Sequence, residues 1–401
     1  MNVFNVSFVD LMKEIKLLAV PILFLFFLAV LVPTNSFGST GILCVMVWLL
    51  WREPEHRSRW WKLAWPWLLA VLVYFVIMST YSFSAITALR DGVRVLEGIG
   101  LSVVALYLLQ LSEHHLRRAV EYVVTILMAA TIMIVFFNLY HVGFLELINN
   151  HGFDWYVNRN RIAVGFSVTA VFVLSLMIEE RLRWKSVMWS GLLVFVCLAA
   201  ALNGSRGAIV GMLASMICIV IAAVARHGWR KVVRIELLLL PFLSIFTALS
   251  CFYYQNISLV KFYIHDDGID TGRFVIWQTI LERLETSPWI GYGTHAIKQD
   301  TFLMHYGLAS FTSPHSIYVG LLYASGLVGV FFWIVWFWTL TLKFRRHVQT
   351  HSNIAFYLGI GVLVNTLVHG LIDFDFYMLA TMTFIVFGIV MMMPRLNVSK
   401  G

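Results

Sequence analysis

Charge is scarce in this chain. Only 12% of its 401 residues are Asp, Glu, Lys or Arg, while 60% are hydrophobic. A soluble domain of this length would carry about twice that charged fraction, so the composition excludes an ordinary water-facing surface and reads as an integral membrane protein. Cysteine is scarce too: Cys44, Cys197, Cys218 and Cys251 all lie in or beside apolar runs. Such residues act as small hydrophobes, which leaves neither a disulfide framework nor a thiolate metal site. The sequence also lacks a linker, a low-complexity stretch, an added soluble domain and an internal repeat, and residues 1–401 are expected to form one membrane domain.

What fills the chain is a series of apolar runs, each long enough for about 30 Å of hydrocarbon and flanked by polar residues, Trp or Tyr. About twelve are predicted, at 17–32, 38–51, 61–78, 95–111, 119–140, 162–178, 187–201, 207–225, 235–252, 317–342, 354–371 and 374–393. The first follows a polar start with Lys13 and Lys16 but no small-residue cleavage site, so it reads as an anchor. The fold class is therefore an all-α polytopic membrane protein of about 12 transmembrane helices.

Lys and Arg set the orientation. With the N-terminus in the cytoplasm, 20 of the 29 basic residues fall inside, and both termini are expected there. This inside bias accounts for the net charge of +8 without a nucleic-acid partner, which would call for basic residues on a water-soluble face. The partner it requires is the lipid bilayer.

One external segment is long. Residues 253–316 separate the ninth and tenth runs, whereas the other connections are short. Segments of that length are functional or disordered, and this one has too many aromatic residues for disorder. From Arg273 the residues Phe274, Trp277, Ile280, Leu281 and Leu284 repeat at helical spacing, opposite Gln278, Glu282, Arg283 and Glu285. The expectation is an amphipathic helix along the outer membrane interface, capped by Asp270 or Thr271 and stopped near Pro288.

Three residues stand out for chemistry. Arg206, in "NGSRGA", sits at an outer hinge between two runs, and Arg273 starts the amphipathic helix. Boundary arginines are costly to desolvate, and their fork of donors matches a phosphate or carboxylate in bidentate geometry. The bland alternative is snorkelling to lipid phosphates. In "FTSPHS", Ser313 suits an N-cap and Pro314 the first helical position, which would put His315 in the first turn of the tenth span. A helix N-terminus disfavours imidazolium, so His315 would stay neutral and able to accept a proton as a general base.

Taken in order, "NGSRGAIVG", "TGRFVIWQTIL" with "SPWIGYGTH", and "SPHSIYVGLLYASGLVGV" resemble the successive motifs of the O-antigen ligase and polymerase superfamily of bacterial envelope glycosyltransferases. The resemblance is strong from "NRNRIAVG" to "HGLIDFDF". It implies glycan transfer on the periplasmic face of the bacterial inner membrane, from an O-antigen donor on undecaprenyl diphosphate. For a ligase the acceptor is a sugar hydroxyl of lipid A-core. Arg206 and Arg273 would stabilise the leaving diphosphate, and His315 would take the hydroxyl proton in an inverting displacement.

No metal or cofactor is expected. The one external acidic cluster, Asp266, Asp267 and Asp270, reads as a helix cap and a solvated turn. His369 and Asp373, one helical turn apart at the outer end of the eleventh run, are expected either to orient the acceptor or a catalytic partner, or to form a structural pair. Arg159 and Arg161 before the sixth run, and Arg90, Asp91 and Arg94 before the fourth, are secondary candidates for attracting anionic substrate groups. Tyr292, with Trp289, is a candidate for lining a glycan path. The runner-up readings are an O-antigen polymerase, acting on two lipid-linked substrates, and a lipid-linked glycan transporter. The latter would place charge near the bilayer midplane, whereas here the informative residues gather at the outer rim.

Overall fold

The computed structural model describes residues 54–110, 113–142, 159–180, 182–203, 205–229, 273–294, 296–305, 313–345, 352–373 and 376–392. The expected runs at 17–32, 38–51 and 235–252 lie outside the described residues, as do the proposed caps Asp270 and Thr271. What is described is all-helical. Long helices run as α1 (Pro54–Ser79), α2 (Ala85–Gln110), α3 (Glu113–Val142), α4 (Arg159–Ile178), α5 (Arg183–Asn203) and α6 (Arg206–His227). After α6 come α7 (Arg273–Leu284), a single 3₁₀ turn, the short α8 (Thr301–His305), α9 (Ile317–Arg345), α10 (Asn353–His369) and α11 (Leu379–Met391).

Four stretches, within α3, α5, α6 and α9, are long and apolar enough to cross a membrane by length and composition. Several shorter apolar helices pack beside them, and the chain is a multi-pass membrane protein.

The helices that matter for the site form one packed group. α10 lies against α6, α4 and α11, while α4 also packs on α5 and α3. Close approach of α6 to α10 depends on Gly207, where a Cβ would stand 2.7 Å from His369 Cδ2. Small residues let helix backbones approach within the apolar phase, where no hydrophobic force drives helices together.

Because the chain alternates direction, polar residues at helix ends collect at two opposite ends of this group. At one end stand the starts of α4 and α6 and the finish of α10. At the other, Arg117 of α3 pairs with Glu121 at 3.1 Å and with Glu180, and His227 of α6 faces Glu179 at 2.6 Å. There too Arg226 donates to Asn353 over 2.8 Å and covers the Phe356 ring at 3.8 Å.

α9 is broken within its apolar length. Gly326 has φ 57° and ψ −166°, a conformation open to glycine, and the helix resumes after it. The break exposes backbone groups that lipid cannot satisfy, and residues 288–293 take them up. Tyr292 N donates to Tyr323 O at 2.9 Å and Gly293 N to Ala324 O at 2.8 Å, while Leu327 N and Val328 N donate to Pro288 O and Trp289 O at 2.9 and 3.0 Å. The "SPWIGYG" segment is thereby paired to the broken helix.

The amphipathic helix exists as α7, with its apolar residues distributed differently from the expectation. Ile276, Ile280 and Leu284 are buried against Ala296, Ile297, Leu303 and Tyr323. Phe274, Val275 and Leu281 are exposed. The predicted apolar stripe thus divides between a face packed on protein and a face turned outward, because α9 and the 3₁₀ turn supply a second apolar surface unseen in the helical period.

Candidate functional site

Asp373 gathers the site. It lies in the turn after α10 and its side chain is 6% exposed. Arg273, the first residue of α7, brings Nη2 to 3.5 Å from Asp373 Oδ1, and His315 brings Nδ1 to 3.8 Å from the same oxygen. His369, at the end of α10 and fully buried, sets Nε2 at 3.4 Å from Oδ2. Asn160 of α4 donates from Nδ2 to Oδ1 over 2.7 Å. An ionised carboxylate is acceptor-only with about four lone-pair positions, so one buried Asp can serve this many donors. α6 closes on the same pair: a Cβ at Gly207, the residue after Arg206, would lie 3.5 Å from Asp373 Oδ2.

Arg206 opens α6. Ser205 before it has extended backbone, φ −80° and ψ 101°, and its carbonyl accepts from Ile209 N at 3.1 Å. The expected hinge between α5 and α6 is thus only the residues between Asn203 and Arg206.

His315 departs from its expected setting. α9 starts at Ile317, and Ser316 acts as the cap: its carbonyl accepts from Gly320 N at 2.9 Å and its Oγ from Val319 N at 3.4 Å. His315 stands two residues ahead of the helix with φ 50°, the one non-glycine positive φ among the described residues. Ser313 caps no helix; its Oγ accepts from His315 N at 3.2 Å in a local turn. Tertiary ties hold this conformation. Trp277 Nε1 of α7 donates to Pro314 O at 2.8 Å, and Ile317 N donates to Gly370 O at 2.8 Å. A non-glycine residue in this region is strained, and such strain collects at functional sites.

The helix start no longer addresses the His315 ring; the Asp373 carboxylate does. At 3.8 Å the Nδ1 contact is an ion-pair distance rather than a hydrogen bond. Nδ1 is thus the ring nitrogen that faces the carboxylate. The His315 side chain is 36% exposed, so the ring is open on one side while Asp373 behind it is closed off.

Burial by itself would raise the Asp373 pKa. The His315 and His369 rings and the Arg273 charge outweigh it and hold the carboxyl at about 2. Asp373 is ionised throughout the physiological range.

Other sequence candidates fall elsewhere. Tyr292 belongs to a cluster at the far end of α7: its hydroxyl donates to Arg283 O at 2.7 Å and meets Thr286 Oγ1, and the Arg283 guanidinium covers its ring at 4.6 Å. Arg283 and Arg273 stand at opposite ends of α7, about 15 Å apart at 1.5 Å rise per residue. Trp289 is exposed, and its backbone serves the α9 break. Arg94 pairs with the fully buried Asp91 at 3.4 Å within α2. Arg159 and Arg161 start α4, but their side chains lie outside the described residues, as do Asp266 and Asp267.

Two groups went unnoticed in the sequence. Asn160 carried no signal, since an Asn in a first helical turn ordinarily reads as a solvated or capping residue. Asp300 is wholly buried, paired with Arg283 at 2.9 Å and accepting from Tyr323 Oη at 2.7 Å and Phe302 N at 3.0 Å. Its partners come from three separate stretches, so spacing alone does not reveal it.

Residues 191–334 match the family model described as O-antigen ligase. That stretch runs from α5 through the 326 break in α9 and includes Arg206, Arg273 and His315. No curated protein matches the chain.

Proposed function

Starting from the O-antigen ligase family domain at residues 191–334, we propose that this membrane protein is an O-antigen ligase. It transfers the glycan from undecaprenyl diphosphate to a sugar hydroxyl of lipid A-core on the periplasmic face of the inner membrane, with both termini cytoplasmic. Residues 1–401 act as one transmembrane glycosyltransferase domain in which 253–316 is the catalytic loop.

In the proposed reaction the acceptor oxygen attacks the anomeric carbon as its proton passes to His315 Nε2. The bond from that carbon to the diphosphate oxygen breaks, the carbon inverts, and undecaprenyl diphosphate departs with its electron pair. Asp373 stabilises the imidazolium, as a buried carboxylate does in a His–Asp pair. Arg206 and Arg273 face the charge growing on the diphosphate, which is the largest electrostatic demand of the step. Arg159 and Arg161 attract anionic groups to the rim, and Tyr292 borders the glycan path. The observation that carries the reading is that Arg273 and His315, from separate parts of the family domain, meet at one buried carboxylate oxygen.

The test is reconstitution of purified protein with undecaprenyl-diphosphate-linked glycan and lipid A-core, with the acceptor followed on a gel. Glycan-bearing lipid A-core, absent with His315→Ala, is the expected result. Lengthening of the donor lipid with no change in the acceptor would make the protein a polymerase. No change in either lipid would move a transport role to the front.

A further inference from the structure

Asn160 makes the shortest of the contacts to Asp373, 2.7 Å from Nδ2 to Oδ1. Arg273 and His315 address that same oxygen from 3.5 and 3.8 Å, and His369 addresses the other from 3.4 Å. Asn160 is the one donor among them that cannot carry a charge. The torsion that orients a carboxylate is broad and roughly two-fold, so a buried Asp takes its plane from its partners. Arg273 and His315 would both have to engage substrate during transfer, which leaves Asn160 and His369 to hold the plane. His369 rides on α10 beside Asp373, whereas Asn160 reaches it from α4, a separate helix packed on both α6 and α10.

We infer that Asn160 is a positioning residue of this site: its side-chain amide pins Asp373 Oδ1, so that the carboxylate meets His315 and Arg273 at a fixed angle without adding charge. Its effect on rate rests on the proposed transfer reaction; its effect on His315 rests on geometry alone.

The groups that face Asp373 define the electrostatic consequence. Among the described residues the charged or titratable ones are Arg273 from α7, His315 ahead of α9 and His369 from α10; Arg206 opens the neighbouring α6, and Arg159 and Arg161 flank Asn160 in the chain. Asn160→Asp is nearly isosteric but sets a second carboxylate at hydrogen-bond distance from the first. Two carboxylates so close share one proton. While the proton is held, the pair carries the single negative charge of the native site and retains an O–H donor toward Asp373. When it is lost, the extra charge captures Arg273 and raises the proton affinity of His315.

The experiment compares transfer by Asn160→Asp and native protein from pH 5.5 to 8.5. The ratio of variant to native rate is expected to fall at least tenfold across that range. A role in helix packing alone would leave the ratio flat, and a flat ratio at any level overturns the inference. Should native protein transfer nothing, the functional reading fails by itself, and Asn160 is then judged without substrate. Diethylpyrocarbonate acylates only neutral imidazole, and the His315 peptide followed by mass spectrometry gives the pH midpoint of that ring. A midpoint moved to higher pH in Asn160→Asp supports the inference; an unmoved one overturns it. If Asn160→Asp does not purify as a folded protein, Asn160→Ser removes the reach without adding charge. It should lower kcat about tenfold with the donor KM within twofold of native, or, without turnover, shift the His315 midpoint; an unchanged value in the measurement made overturns the inference.

Discussion

Arg273 and Asp373 face each other at 3.5 Å, joining the start of α7 in the long loop to the turn after α10. The contact ties the start of α7 to the helix group through a carboxylate that lies outside the family-matched residues 191–334.

Arg206→Ala and Arg273→Ala should each slow transfer by roughly 3 kcal/mol in the barrier, the scale of one preorganised charge-stabilising donor. Arg273→Lys should recover little, because a point ammonium does not reproduce the planar fork. Single-turnover rates with saturating donor check this, and near-native turnover in either alanine variant would remove that arginine from the site.

Asp373 titrates in a way that links the site to stability. Its folded pKa of about 2 is below the usual value of 3.8, so its stabilising effect is fully present above about pH 4 and is lost as pH falls toward 2. The effect is on the order of 2 kcal/mol. Thermal unfolding in detergent at pH 5.5 and pH 2.5 should show a larger drop for native protein than for Asp373→Asn, and equal drops would contradict the assignment.

Gly207→Ala separates packing from chemistry. The added Cβ would stand 2.7 Å from His369 Cδ2, so the ring must move off Asp373. Transfer should fall at least tenfold, with a stability loss of about 1–3 kcal/mol, as for overpacking elsewhere. Activity and melting temperature measured together decide this, and native activity would show that His369 is dispensable.

Gly326→Ala should open the paired joint between α9 and residues 288–293. An L-residue at φ 57° and ψ −166° costs about 1–3 kcal/mol, and its Cβ would meet the Trp289 carbonyl carbon at 2.4 Å. Limited proteolysis should then cut the 288–293 segment, which native protein protects.

Arg283→Met leaves Asp300 wholly buried, with Tyr323 and Phe302 as its remaining partners among the described residues. A loss of about 2–3 kcal/mol is expected, less than for a fully buried pair because Arg283 is partly exposed. Adding Asp300→Asn should recover part of it, which a double-mutant cycle measures; simple additivity would show that the pair is uncoupled.

Much of the protein was legible in its sequence because the signals are local. Apolar length, the Arg206, Arg273 and His315 motifs and the helical period after Arg273 each reside in a continuous stretch, and neighbouring residues suffice to read them. His369 and Asp373 were visible as a pair one turn apart, though not as the point where the others meet. Tertiary structure decided the rest. It moved His315 out of the α9 helix into a left-handed conformation, because Trp277 and Gly370 hold the backbone on either side. It brought Asn160 to Asp373 from a different helix, and it paired a broken α9 with the 288–293 segment. Each of these depends on hydrogen bonds or ion pairs between residues far apart in sequence, whose partners are chosen by how the helices pack and not by any spacing along the chain.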